Sequence, residues 1–210
     1  MGKKQIGNLP GKTIERLSQY RRLLLNRLAS GKPNVYSHEL ATWLNLTSVQ
    51  VRRDLMLIGC SGSQSKGYGI GDLVNRIAGI IDHEGAQRIA VIGMGNLGRA
   101  ITSYFSGKRD KLSIVGVFDN DPQKTDRIIS GIPCHHINTI KEKIKTQGIS
   151  IAILTVTPSA TQEVAKLLVE SGIKGILNYT SVPISVPPGV FLEEYDMVTS
   201  LEKLAYFANT

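Results

Sequence analysis

The chain has 210 residues, 41% hydrophobic and 20% charged, enough for two small domains or one large one, and no run reaches the ~18–20 apolar residues of a membrane span. Its two cysteines, Cys60 and Cys134, lie far apart, which argues against a disulfide framework and makes the cytoplasm the expected location. The net charge of +8 sits entirely in residues 1–70, where eleven Lys and Arg face only Glu15, Glu39 and Asp54, so a polyanionic partner is expected for that third of the chain.

Met1-Gly2-Lys3-Lys4 opens without the apolar stretch of a secretion signal, and Ile6 does not fit the myristoylation pattern. From Thr13 to Ala29, Leu17, Tyr20, Leu24 and Leu28 recur at helical spacing and predict one buried stripe, ended by Gly31 and Pro33. A second helix is expected over His38–Leu44. A third follows Thr47, where Thr47-Ser48-Val49-Gln50 has capping-box spacing. Ala41 lets these two helices approach, and Asn45 suits a left-handed turn between them. With Leu40, Leu44, Leu46, Val51 and Leu55 facing inward, this is a helix-turn-helix. Thr47, Ser48, Gln50, Arg52 and Arg53 then become candidates for contacts with DNA phosphates and base edges, Gln for adenine and Arg for guanine. The Gly-rich run Gly59 to Gly69 reads as a wing, with Lys66 and Tyr68 as further DNA contacts. Leu73, Val74, Ile77, Ile80 and Ile81 predict a linker helix ending by Gly85.

Beyond this point the pattern changes. Strands are expected at Arg88–Ile92, Leu112–Phe118, Ser150–Thr155 and Gly175–Asn178, with helices over Leu97–Phe105, Ile137–Thr146, Ala160–Ser171 and Leu201–Phe207. Such alternation predicts a parallel sheet covered on both faces. Within it, Gly93-Met94-Gly95-Asn96-Leu97-Gly98 follows a strand and opens a helix, and Asp119 ends the next strand. That is the full dinucleotide-binding context. Asp119, with Asn120, is expected at the adenosine ribose. Its charge, with no Arg in Asn120-Asp121-Pro122, favours NAD(H) over NADP(H). Thr155, Val156 and Thr157, and Asn178, Tyr179 and Thr180, follow later strands and are candidates for the nicotinamide side.

Only about thirty residues follow Asn178, too few for a catalytic domain, so no enzyme and no catalytic residue is expected. Cys134-His135-His136 lacks the ligand count of a metal site, so none is expected there. A small NAD-dependent oxidoreductase and a nucleic-acid-binding protein with a vestigial nucleotide domain stand as the alternatives.

Together, Gln50-Val51-Arg52-Arg53-Asp54-Leu55, Gly67-Tyr68, the glycine fingerprint, Phe118-Asp119-Asn120-Asp121-Pro122, Gly175-Ile176-Leu177-Asn178 and Tyr195-Asp196-Met197 resemble the Rex family of redox-sensing repressors. The resemblance implies an α/β architecture: a winged-helix DNA-binding domain with linker over 1–83, a Rossmann-like NAD(H)-binding domain over 84–192, and a C-terminal helix over 193–210 swapped onto the partner of a homodimer. It implies operator binding that NADH releases. Tyr104 and Asp196 would be switch residues near the nicotinamide, with Arg22 linking Asp196 to the DNA-binding domain. Ser61 and Ser65 stand where the family's wing usually has an aromatic residue and a further Gly.

Overall fold

The computed structural model describes residues 9–82, 85–105 and 111–209. The expected boundary between 83 and 84 and the residues 1–8 lie outside this set. The chain divides into two compact units, Met1–Glu84 and Gly85–Thr210.

The first unit runs α1 (Gly11–Ala29), β1 (Asn34–Val35), α2 (Ser37–Leu44), α3 (Ser48–Leu57), β2 (Tyr68–Gly69) and α4 (Ile70–Ile81). Leu17, Tyr20 and Leu24 of α1 are fully buried and share a core with Leu40, Val51, Leu55, Leu73 and Ile77. Leu28 departs from the expected stripe. It lies in the last turn of α1, beyond this core, and is 44% exposed. Asn45 takes φ 55° and ψ 45°, closing α2 in the left-handed conformation the turn needs. The Thr47 side chain accepts from the amide of Gln50 and caps α3. The reciprocal half of the expected box does not form, because the Gln50 amide group is committed to Asp54 instead. At the far end of α3, Arg76 Nε donates to the Ile58 carbonyl over 2.6 Å and holds α4 against it.

The second unit is a seven-stranded sheet of β3 (Gln87–Ile92), β4 (Leu112–Asp119), β5 (Arg127–Ile129), β6 (Ile132–His136), β7 (Ile149–Leu154), β8 (Gly175–Asn178) and β9 (Phe191–Glu194). Helices α5 (Asn96–Phe105), α6 (Ile140–Gln147) and α7 (Thr161–Glu170) connect them, and α8 (Met197–Ala208) follows. Strand order is β5-β6-β4-β3-β7-β8-β9, parallel except for the β5–β6 hairpin. The sheet is therefore mixed rather than purely parallel. The strand Phe191–Glu194 also carries it past residue 192. Alternate residues of β3 serve opposite faces: Ala90 and Ile92 pack with Phe118, Ile144 and Leu168, while Ile89 and Val91 pack with Met94, Ile101 and Val117. From β3 the chain moves outward to β4 on one side, and after β6 it crosses back through α6 to place β7 on the other side of β3. This switch point opens a crevice beyond the carboxyl ends of the strands.

Candidate functional sites

In the first unit the organising group is Asp54, a fully buried carboxylate on α3. Arg16 donates to it twice, from Nε at 2.6 Å and from Nη2 at 2.8 Å. Tyr20 Oη donates at 2.8 Å and Gln50 Nε2 at 2.9 Å. Burial alone would raise its pKa, but these donors outweigh burial and hold the carboxyl below its usual range. The network fixes α3 on α1 and changes the role of Gln50. Expected to reach adenine, it is tied back to Asp54 as a brace. Asp54 was not among the expected site residues, since its arginine partner lies 38 positions away.

Arg52 and Arg53 are exposed on the opposite face. Arg52 Nη1 lies 3.4 Å from Ser37 Oγ at the start of α2, and Ser48 is half-buried in the first turn of α3. The wing is a loop bridged by paired 2.9 Å hydrogen bonds between Ser63 and Gly67. Its base, β2, pairs antiparallel with β1. Tyr36, stacked on His38 with centroids 5.5 Å apart, donates its hydroxyl to the Ser65 carbonyl and ties the wing to α2. Lys66 is exposed at the tip. Tyr68, also expected to reach DNA, is half-buried with its ring across Gly62, so it shapes the wing from behind.

In the second unit a cavity of about 750 Å³ opens beyond β3, β4 and β7. Of the expected cofactor residues it is lined by Gly93, Gly95, Asp119, Asn120, Thr155, Val156 and Thr157. Gly93 has φ 95°, and a side chain there would meet the Thr155 carbonyl at 2.7 Å. Any Cβ on Gly98 would collide with the Gly93 carbonyl, which is why α5 can start so close to the strand. Gly98 is thus a packing residue outside the lining. Met94 is buried, and its contribution is an amide that donates to Asp119 Oδ2 at 2.7 Å. Leu97 packs on the α5 side of the sheet, and Asn96 is exposed at the start of α5. Asn178 is buried and braces its own loop, donating to the Val182 carbonyl and accepting from Thr180 N and Oγ1. Tyr179 packs against Tyr195 with ring centroids 5.2 Å apart and planes tilted by 56°. Neither Asn178, Tyr179 nor Thr180 lines the cavity.

Asp119 is 6% exposed. Burial opposes its ionisation, but the amides of Asp121 and Met94 and the charge of Lys124 outweigh this and hold its pKa below the usual value. Lys124 Nζ stands 3.3 Å from Asp119 and 3.4 Å from Asp121, and it lines the cavity. Asn120-Asp121-Pro122 holds no Arg, as expected, but the turn after β4 brings Lys124 back over the carboxylate. Ile137, Val164 and Leu167 add an apolar wall from segments with no recognised motif.

These residues fit a dinucleotide. A Cβ on Gly95 would meet nothing within 4 Å, leaving its backbone open at the start of α5, where amides and helix dipole favour a pyrophosphate. Asp119 Oδ2 already accepts from Met94 and Lys124, while Oδ1 accepts from Asp121 alone. A carboxylate has about four acceptor positions, so Oδ1 keeps one for a ribose hydroxyl.

The switch candidates take separate places. Arg22 is exposed on α1, and Tyr104 is exposed on α5, edge-on to Phe105. Asp196 caps α8, accepting from the amides of Val198 and Thr199 and from Thr199 Oγ1, and these bonds hold its carboxyl below the usual range. His136 Nδ1 accepts from the Asn138 amide, and no group of three metal-ligating side chains occurs among the described residues. Within the same residues no helix is long and apolar enough to cross a membrane.

A model for the N-terminus of DNA-binding proteins matches residues 8–55, and a CoA binding domain model matches residues 84–182. The redox-sensing transcriptional repressor Rex of Lactobacillus acidophilus is 35% identical over 202 residues, covering 96% of each chain. That of Rubrobacter xylanophilus is 39% identical over 198 residues, covering 94% of this chain and 91% of that protein. The chain belongs to the Rex family. It is accordingly a redox-sensing transcriptional repressor rather than an enzyme. Among solved structures, RSP, a Rex-family repressor, in complex with β-NAD⁺ and operator DNA matches with a TM-score of 0.88 at 31% identity, covering 96% of this chain and 93% of that one. RSP in complex with β-NADH gives 0.84 at 30% identity, with 96% and 94% covered.

Proposed function

We propose that this Rex-family chain binds operator DNA as a cytoplasmic homodimer and lets go of it when NADH occupies the Asp119 cavity. The observation that carries this reading is the pairing, in one chain, of a basic outward helix face with a separate nucleotide-sized cavity. In the first unit, Arg52 and Arg53, with the capped first turn Thr47-Ser48, would enter the major groove while Lys66 approaches from the wing. Across the second unit, the Gly93–Gly95 turn would hold the pyrophosphate. Asp119 Oδ1 would take one ribose hydroxyl and Lys124 the other. The bound cofactor supplies the redox information; it undergoes no reaction.

Dimerisation is supported by α8. Met197, Val198, Leu201, Leu204, Tyr206 and Phe207 are each more than half exposed, an apolar load that a lone chain leaves in water. Exchange of this helix with a partner would bury it and bring Asp196 to the partner, where Arg22 and Tyr104 are the expected switch contacts. Its apolar side chains seed the interface; its cap, Asp196, would carry the signal. NADH can shift the DNA-binding equilibrium only by its differential affinity for two arrangements of the dimer, and a working sensor needs a ten- to hundredfold effect, ~1.4–3 kcal/mol. A mobility shift on sites selected from random DNA, at fixed salt, checks this. NADH should lower the bound fraction more than NAD⁺ does; equal bound fractions would refute the sensor reading.

A further inference from the structure

We propose that α3 reads a thymine methyl group through Val49 with a guanine read by Arg53 beside it, so that each half-site holds a T and a G about two base steps apart. This rests on the reading of α3 as the helix that enters the major groove.

The side chains of α3 divide cleanly. Val51, Asp54 and Leu55 are buried, and Gln50 is spent on Asp54. Facing outward are Leu57 in the last turn and the row Val49, Arg52, Arg53 and Met56, which at steps of three, one and three is one helical stripe. Val49 is 65% exposed and Met56 72%. A single exposed apolar side chain needs no explanation. Two in one row with the helix's two arginines, within the first seventy residues where the excess positive charge is concentrated, form a surface that is apolar and cationic together. A duplex groove matches both properties, because its phosphates draw the arginines and thymine alone among the bases presents a methyl group there.

Val49 is the better reader of the two. It lies in the first turn of α3, the end of a recognition helix that reaches base edges. Its branched side chain is held near one rotamer in a helix, so it presents its methyls without loss of freedom. Having no donor or acceptor, it satisfies the polar edge of neither pyrimidine, so contact with the methyl group is what sets thymine above cytosine. Arg52 leans toward Ser37 and the start of α2, where a phosphate contact suits it. Arg53 makes no hydrogen bond or ion pair among the described residues and is left for a guanine. Four residues of helix rise ~6 Å, and base pairs repeat every ~3.4 Å, which gives the two-step spacing.

The test uses full-length protein and a selected operator, with each thymine replaced in turn by deoxyuridine, which removes only the methyl. Binding is read by fluorescence anisotropy. For the wild type, one thymine per half-site should weaken binding about fourfold when replaced, the effect of burying one methyl-sized group. Val49→Ala should bind the thymine operator more weakly and lose its sensitivity at that position. Arg53→Ala should weaken binding yet keep the deoxyuridine effect. Val49 is exposed, so its variant should fold, with NADH affinity and Trp43 fluorescence unchanged. If no replaced thymine matters to the wild type, or Val49→Ala remains as sensitive as the wild type, the inference is wrong while α3 remains the DNA-binding helix. Selection that recovers no preferred sequence overturns both.

Discussion

Two buried aspartates, one in each unit, show how the same chemistry serves two ends. Asp54 accepts four hydrogen bonds, all from side chains of its own unit, and nothing is left for a ligand. Asp119 accepts three, keeps a position on Oδ1, and faces a cavity. Both carboxyls are held below their ordinary pKa, so the direction of the shift does not separate a structural group from a binding one. The count of donors against available lone pairs does. A saturated carboxylate fixes geometry, here the tilt of α3 on α1, whereas an unsaturated one waits for a hydroxyl.

The sharpest break of this comparison is Asp54→Ala, which strands Arg16 in a part-buried site. A loss of ~3–5 kcal/mol is expected, seen as an earlier unfolding transition by calorimetry and loss of operator binding, with NADH still bound by the second unit. Next in size, Asp119→Ala should cost ~1–3 kcal/mol of NADH affinity while unit-one stability stays the same. Lys124, relieved of one of its two carboxylates, should then favour a 2′-phosphate, so the NADPH-to-NADH affinity ratio rises in titration calorimetry.

Acid gives a milder form of the first experiment. Because the folded pKa of Asp54 lies below the unfolded value of about 3.8, its stabilisation is complete above that value and is lost as pH falls through the folded one. Asp54→Asn should flatten the acid side of the stability curve of the first unit. Smallest of all, Arg27→Ala removes a guanidinium 4.2 Å from the Trp43 ring centroid, worth ~0.5–1 kcal/mol, and should be visible as a change in tryptophan fluorescence.

What could be read from the residues alone follows where the constraints are local. Asn45, the Thr47 cap and the glycine turn at Gly93 each answer to a backbone demand within a few positions, and the charge imbalance needs no geometry at all. The hairpin Arg127–His136 is faint in the sequence because its strands are short and carry Arg, Pro and His, and because its turn pairs Gly131 with Ser130, at φ 52°, where Asn or Asp would be the stronger signal. Phe191–Glu194 reads as half acidic, since it is an edge strand with little to bury. Lys124 and the Arg16–Asp54 pair were hidden for another reason: a turn and a helix packing, neither visible in spacing, bring their partners together. Val49 gives no signal of its own, because a lone apolar residue on a helix looks the same in sequence whether it faces the core or the outside.

The central claim is that the cavity and the basic helix are linked in free energy. Linkage is reciprocal, so operator DNA must weaken NADH binding by the same factor that NADH weakens DNA binding. Titration calorimetry of NADH into the dimer, alone and with saturating operator, measures this directly. A tenfold or greater loss of NADH affinity in the presence of operator is the predicted result, and an unchanged affinity would contradict it.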